Sequence, residues 1–309
     1  MKSETHEQFP TSLKEVRQHG SFSFPCAFYQ AEHDNNPPGF PYIVKHHWHE
    51  QIEIIYLEQD SYQVDINMTV THVKSPCFCF INSGELHALS SDSEKYLEQA
   101  VVFSADMLAF SVPDPVQEEF LLPLAEHKLS FTSFLGCEDP AFNEVQQEFF
   151  KIRSTFRKEN RICMDQLTSE NPVSQLRIKA ALLNILAILS EHGLLTSNEP
   201  AHNPRVELLK DVISHIRHNY QHPLSLGELA ALAGMNEQYF CRFFKKALGK
   251  TPVAYINDFR IHHAVTLLKT TDLSVTEVCL ECGFNNLGHF MKEFKKATHF
   301  TPLQFRKHS

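Results

Sequence analysis

The sequence predicts an α+β chain of several domains: a mostly β first domain, a helical segment, and an all-α C-terminal domain that contains an internal duplication. Three observations lead there. Residues 22–103 are rich in β-branched and aromatic residues broken by turn signals, the apolar period becomes helical after residue 139, and a block near the C-terminus recurs after 49–50 residues. The chain has 309 residues, 42% hydrophobic and 21% charged, with 10 glycines and 16 prolines, which excludes collagen-like, low-complexity and wholly disordered polymers.

The first ten residues lack a basic start followed by an apolar stretch, so no secretory leader is expected. Turn signals at Asn35-Asn36-Pro37-Pro38-Gly39 and Asn82-Ser83-Gly84 separate strand-length runs such as residues 51–57, 62–73 and 77–81. Their spacing suits an antiparallel sandwich or barrel. Phe142, Val145, Phe149 and Ile152, then the apolar residues of 176–188, recur at helical spacing and predict two helices. Residues 193–204, with their Ser, Asn, Pro and Gly content, read as a polar linker. The longest apolar run, residues 180–189, falls short of the ~20 residues a bilayer span needs, so no membrane partner is expected and the expected location is the cytoplasm. Eight scattered cysteines in a chain large enough to build cores are expected as thiols.

Net charge is −9, but its distribution matters more. Residues 205–309 hold 14 Lys/Arg against 9 Asp/Glu, and residues 1–204 hold 14 against 28. The C-terminal domain is therefore basic and suited to a polyanion, while the rest is acidic.

Within that basic domain, Leu224-Ser225-Leu226, Glu228 and Gly234 reappear 49 residues later as Leu273-Ser274-Val275, Glu277 and Gly283. Phe240, Phe244-Lys245-Lys246-Ala247 and Thr251-Pro252 reappear 50 residues later as Phe290, Phe294-Lys295-Lys296-Ala297 and Thr301-Pro302. Each copy reads as a Ser N-cap, a short helix, a turn glycine, an Asn N-cap and a second helix, which is a helix-turn-helix. A helix over residues 252–269 joins the copies, a rod of roughly 27 Å that can hold two helices in successive major grooves. With Phe240, Phe243 and Phe244 facing inward, Gln238, Cys241, Arg242 and Lys245 point outward. Arg242 suits guanine and Gln238 adenine. In the second copy the base-facing positions are Gly288, which offers no side chain, His289 and Lys292. Lys245, Lys246, Lys295 and Lys296 are expected on phosphates. Cys279-Leu280-Glu281-Cys282 has CxxC spacing but falls where Ala230 and Ala233 pack in copy one, so it reads as core.

Residues 205–309 resemble the DNA-binding domain of the AraC/XylS family of bacterial transcription regulators. The likeness rests on Leu229-Ala230, Gly234, residues 256–260, Ala264, Leu267-Leu268, Val278, Gly283-Phe284, Phe290, Phe294, Thr301-Pro302 and Phe305-Arg306. It implies an apolar contact for Cys241. His47-Trp48-His49-Glu50-Gln51-Ile52-Glu53, followed by Asn82-Ser83-Gly84-Glu85-Leu86-His87, resembles the two short motifs of the cupin fold; Asn82 stands where cupins usually carry proline, and Pro76-Cys77-Phe78 lacks the usual Gly-Asp turn. With Pro38-Gly39-Phe40 before and Phe103-Ser104 after, the order is similar to the sensor domain of such regulators. Shared strand parity is expected to aim His47, His49 and Glu53 at one face, with His87 from a later strand. The resemblance implies a sensor that keeps these histidines while binding an organic effector, with no cofactor; a donor set of this kind also suits Mn, Fe, Ni or Zn. Trp48 is expected on the opposite face, Cys77 and Cys79 in the core, and the acids at 118–119 and 138–139 in solvent.

The resulting expectation is a ligand-responsive, sequence-specific regulator of transcription rather than an enzyme. Its divisions are a cupin-like β-barrel effector domain over residues 1–138, a helical dimerisation segment over 139–192, a linker over 193–204 and the paired DNA-reading domain over 205–309. The resemblance implies double-stranded DNA, RNA polymerase, a small-molecule effector such as a sugar and a second copy of the chain as partners, and activation as the usual behaviour. Two other readings stand: a metal-dependent cupin enzyme fused to a DNA-binding domain, and an architectural DNA-binding protein with a structural barrel.

Overall fold

A strand buried on both faces must be covered twice, and the segment Ile52–Glu58 is such a strand. The computed structural model describes residues 13–15, 17–32, 42–93, 95–159, 162–163, 166–197 and 204–308. It divides into two compact units, within Lys14–His202 and within Asn203–Ser309. The first ten residues, the turn at residues 35–39, Pro38-Gly39-Phe40 and residues 198–203 of the expected linker lie outside the described residues.

The first unit opens with strands β1 (Cys26–Glu32), β2 (Tyr42–His47), β3 (Ile52–Glu58), β4 (Ser61–Ile66), β5 (Thr69–Lys74), β6 (Cys77–Ile81), β7 (His87–Ser91) and β8 (Leu97–Phe103). There follow the short helix α1 (Leu122–Ala125), β9 (Leu129–Phe131), β10 (Phe134–Gly136), α2 (Phe142–Glu159), β11 (Ile162–Cys163), β12 (Gln166–Leu167), α3 (Pro172–Glu191) and β13 (Leu195–Ser197). One sheet runs β10-β6-β3-β8-β1-β12-β11 and the other β2-β7-β4-β5, with β9 and β13 paired separately. Among the described residues no ladder joins the two larger sheets, so the expected closed barrel is an open two-sheet sandwich. Alternating strands serve both architectures, and only edge pairing separates them.

Strand parity distributes the core. On β3 and β6, Ile55, Leu57, Cys77, Cys79 and Ile81 face the four-stranded sheet, where they meet Tyr62, Val64 and Leu89. The alternate residues Ile54, Tyr56, Phe78 and Phe80 face the helices. There α2 buries Phe142, Val145, Phe149, Ile152 and Phe156, at 0–3% exposure, as its period predicts. Phe149 stands 5.4 Å edge-on to Phe78, and Phe156 stacks on Phe28 at 5.9 Å. By length and hydropathy alone α3 is apolar enough to cross a bilayer, which the short-run count did not anticipate. Its Ile178, Ala181, Leu182, Ile185, Leu186 and Leu189 are buried in the same core.

Two expectations change. Residues 62–73 are not one strand but the hairpin β4–β5, turned by Asn67 and Met68 at φ of +52° and +67°. Such a turn suits Asn, whereas Met gives no turn signal. The linker does not begin at residue 193: Leu194 and Leu195 pack against the first unit's core, and β13 pairs with β9.

The second unit is all α: α4 (Pro204–Asn219), α5 (Leu226–Leu232), α6 (Glu237–Leu248), α7 (Pro252–Thr270), α8 (Val275–Glu281), α9 (Leu287–Thr298) and α10 (Pro302–His308). Each anticipated cap is made. Ser225, Asn236, Thr251, Ser274 and Asn286 accept from backbone N–H groups of the helices they start, and Glu277 completes a capping box on Ser274. Gly234 and Gly283 take φ of +62° and +79° at the two turns.

Candidate nucleic-acid interface and histidine site

The duplication extends to atomic geometry. Phe240 and Phe244 lie 5.6 Å apart on α6, as do Phe290 and Phe294 on α9, all four fully buried. Tyr255 meets Phe244 edge-on at 5.6 Å, and Phe305 meets Phe294 at 5.7 Å. Cys279 and Cys282 are buried free thiols beside Phe284 and Phe290, in the places of Ala230 and Ala233; burial pushes the Cys282 thiol up to about 12.

With one face committed to the core, the opposite face is left to solvent. Gln238, Arg242, Lys245 and Lys246 on α6 are exposed, and Cys241 is half-buried. Gly288, His289, Lys292, Lys295 and Lys296 on α9 are exposed. His289 is restrained by Phe284, at 5.6 Å between rings, and lies 3.9 Å from the Glu293 carboxylate. The 50-residue offset pairs His289 with Tyr239, whose 42% exposure makes it a further candidate on α6. Its aromatic character hid it among core residues in the sequence.

In the first unit, His47, His49, Glu53 and His87 converge, with one potential ligand atom from each lying within 4.8 Å of the others. The route differs from simple strand parity. His47 ends β2 opposite His87 of β7 after a register shift, His49 lies in the corner that follows, and Glu53 sits on β3 across the sandwich. Trp48 forms an isolated bridge with Lys14, whose ammonium lies 5.0 Å from the indole centre.

The imidazoles share one orientation. The Nδ1 atoms of His47, His49 and His87 lie 2.9 Å from the carbonyl oxygens of Lys45, Gln51 and Glu85. Nδ1–H donation to these carbonyls leaves each Nε2 free to face the site. Glu53 Oε2 is 3.3 Å from His49 Nε2 and 3.2 Å from His87 Nε2. The latter nitrogen is buried without a hydrogen-bond partner in suitable alignment. Sequence reasoning missed an outer layer: Glu15 lies 3.4 Å from His19 Nε2 and 3.7 Å from His47 Nε2, and His19 Nδ1 meets Tyr29 Oη at 2.7 Å. Glu15 and His19 stand four positions apart, but no spacing rule connects them to His47 or Tyr29.

Burial and charge then sort the protons. Burial drives the Glu53 carboxyl up, but the bond from His49 and the close approach of His87 outweigh it and hold Glu53 well below the usual carboxylate range. Burial works against a charged His49, yet Glu53 raises it; burial and neighbouring His87 push His47 down to about 4. Glu98, buried on β8 and accepting from the Tyr42 hydroxyl at 3.0 Å, is pushed up to about 8 by burial and by Glu53.

Residues 229–308 match the family described as a helix-turn-helix domain. The chain is 25% identical over 298 residues to the uncharacterized HTH-type transcriptional regulator YdeC of Bacillus subtilis (strain 168), covering 96% of each chain. It is 30% identical over 153 residues to the HTH-type transcriptional regulator MtrA of Neisseria gonorrhoeae, covering 47% of this chain and 51% of that one. A solved structure of a probable AraC family transcriptional regulator from Rhodopseudomonas palustris CGA009 is 29% identical, covering 33% of this chain and 96% of that one, with a TM-score of 0.32.

Glu98 generates a pH prediction. Because the folded carboxyl keeps its proton to about pH 8 and the unfolded one ionises near its ordinary value of 4.5, the folded state binds the extra proton between these values. Stability supplied by this group falls as pH rises through that window. Glu98→Gln should match the parent near pH 4.5 and melt several degrees higher at pH 8, with at most about 5 kcal/mol involved. A melting difference independent of pH would contradict the assignment.

Proposed function

We propose that this chain, a transcription regulator with an AraC-type helix-turn-helix DNA-binding domain, is a ligand-responsive activator that reads two successive major grooves of double-stranded DNA. The carrying observation is the duplicated Phe–Phe packing, which exposes equivalent faces of α6 and α9 at either end of a 19-residue helix. That helix is about 28 Å long, close to the ~34 Å duplex repeat once the width of the motifs is added. Arg242 pairs with guanine, Gln238 with adenine, and Cys241 makes an apolar contact; Gly288 leaves the second helix to read through His289 and Lys292 and through DNA shape. Lys245, Lys246, Lys295 and Lys296 neutralise phosphates. Arg242→Ala should cost roughly 1–3 kcal/mol at a site selected from a random duplex pool and relax preference at one base, whereas Lys295→Ala weakens all duplexes alike and lowers the salt slope. Equal losses for Arg242→Ala on selected and random DNA would contradict base reading.

The sensor unit assembles as a homodimer through α3. Val173, Leu176, Ala180 and Ala187 line the helix face opposite its buried residues, with half-buried Leu183 at the edge of that stripe and packed on the core. Val173 and Leu176 are 61% and 68% exposed, and a second copy of the same stripe covers them by two-fold symmetry. Sedimentation should give a dimer for the parent chain and a monomer for Leu176→Glu; a parent monomer at micromolar concentration would remove this part of the proposal.

The sandwich senses a small metabolite, a sugar foremost, and binding shifts the population of states that engage promoter and RNA polymerase. His47, His49, Glu53 and His87 form the effector-facing end. The three anchored imidazoles, converging Nε2 atoms and carboxylate also fit a first-row transition metal. Bound there, the ion would supply a Lewis-acid contact for an oxygen-rich effector. A metal-dependent enzyme fused to the DNA-binding domain is the second reading that this donor set favours. Elemental analysis should find one ion per chain, lost in the His47→Ala, His49→Ala double variant, and a sugar panel should raise the melting temperature of the parent alone. Metal content unchanged by the double substitution would exclude these ligands, turnover of a panel member would favour the enzyme, and absence of any thermal response would count against sensing.

A further inference from the structure

The two turn glycines repeat in sequence and in left-handed conformation, but not in surroundings. A Cβ added to Gly234 would meet nothing within 4 Å. Added to Gly283, it would stand 2.4 Å from the Tyr220 carbonyl oxygen and 2.9 Å from Gln221 Cα. Residues 220–222 lead from α4 into the first motif, so the turn of the second motif rests directly on the approach to the first. Arg260 of α7 clamps that approach: its Nε donates to the Tyr220 carbonyl at 2.8 Å and its Nη2 to the His222 carbonyl at 2.9 Å. The same guanidinium lies 5.6 Å from the Phe284 ring, next to Gly283. Tyr220 is held in turn by stacking on His263 at 4.5 Å and by Phe259 edge-on at 5.1 Å. By contrast Arg306 clamps the carbonyls of Leu268 and Leu273 at the approach to the second motif itself.

The second motif is held to α7 by the chain, through the extended break at Thr271, φ −137° and ψ 159°, between α7 and α8, and by a core in which Val278, Cys279, Phe290 and Phe294 pack with Ile261, Ala264 and Leu268 of α7. The junction of Arg260, Tyr220 and Gly283 adds a tie to the approach of the first motif. Small rotations about α7 matter on this scale: a 10° swing over a rod of about 28 Å moves its far end roughly 5 Å, more than the ~3.4 Å rise of one base pair. A tie placed away from the α7 core resists that swing.

We propose that Arg260 and Gly283 are positioning residues that set the separation between the two DNA sub-sites the protein accepts, without choosing bases. The inference rests on two-groove reading by α6 and α9. Gly283 allows backbone to approach backbone where any side chain would wedge the motifs apart, and Arg260 closes the contact with two directed hydrogen bonds that a lysine cannot reproduce as a pair.

The full-length wild-type chain is used to select duplexes from a randomised pool, and base pairs are inserted or deleted between the two sub-sites of the strongest site. Affinities are measured across this spacing series for wild type, Arg260→Gln, Arg260→Lys and Gly283→Ala, with thermal melting as the check on folding. Wild type should lose about tenfold for each base pair added or removed. Arg260→Gln should keep its base preferences within each sub-site while its spacing profile flattens to within about threefold, Arg260→Lys should fall between, and Gly283→Ala should displace the optimum. Unchanged profile shape in the folded Arg260 variants, with uniform loss at all spacings, overturns the proposal while leaving two-groove reading intact. A wild-type footprint covering one sub-site overturns the two-groove reading and this proposal with it. Arg260→Lys keeps the charge and so keeps the test decisive if Arg260→Gln fails to fold.

Discussion

Burial of two phenylalanines one helical turn apart is the constraint on which the C-terminal unit depends. At 3.6 residues per turn, seating Phe240 and Phe244 leaves Gln238, Arg242 and Lys245 no inward direction. Repeating the pair as Phe290 and Phe294 reproduces the exposed face without repeating its residues. The scaffold is duplicated and the exposed face is not: Gln238 gives way to Gly288 and Arg242 to Lys292. A domain of this kind can change what either helix presents to solvent while its packing stays the same.

The first unit obeys a different constraint, the cost of charge between two apolar sheets. Both Glu53 and Glu98 point into the sandwich, and their states diverge according to company. Glu53 has two imidazoles and ionises. Glu98 has a tyrosine hydroxyl and an anionic neighbour, and keeps its proton. Ladder register sets the two carboxyls apart along β3, Glu53 opposite Val102 and Glu98 opposite Leu57. The cluster around Glu53 is built from rigid parts: three imidazoles are oriented by backbone carbonyls rather than by mobile side chains.

Several features could be read before the fold was known, and for physical reasons that can be named. Caps, turn glycines and helix faces of the duplicated motif depend on residues within four positions of one another, so Ser274, Asn286 and Gly283 announce themselves. The His47, His49, Glu53 and His87 set was visible as a pattern, though a corner and a register shift bring it together rather than one strand's alternation. The split of residues 62–73 was not visible, because Met68 occupies a left-handed position that usually advertises itself with glycine or asparagine. Leu194 and Leu195 looked like linker because the strand that pairs with them, Leu129–Phe131, lies more than sixty positions earlier.

By itself the sequence determined local matters: where helices start and stop, which faces are apolar, that one motif occurs twice, and that the basic charge lies with it. Tertiary structure alone decided that the sheets stay open, that Glu15 and His19 back the histidine cluster, that Glu98 is neutral, and that Arg260 and Gly283 join the two motifs. The division follows from range. Capping, periodicity and turn strain act over a few residues and leave their mark on neighbouring letters, whereas desolvation, close backbone approach and edge pairing depend on what the chain brings back from far away.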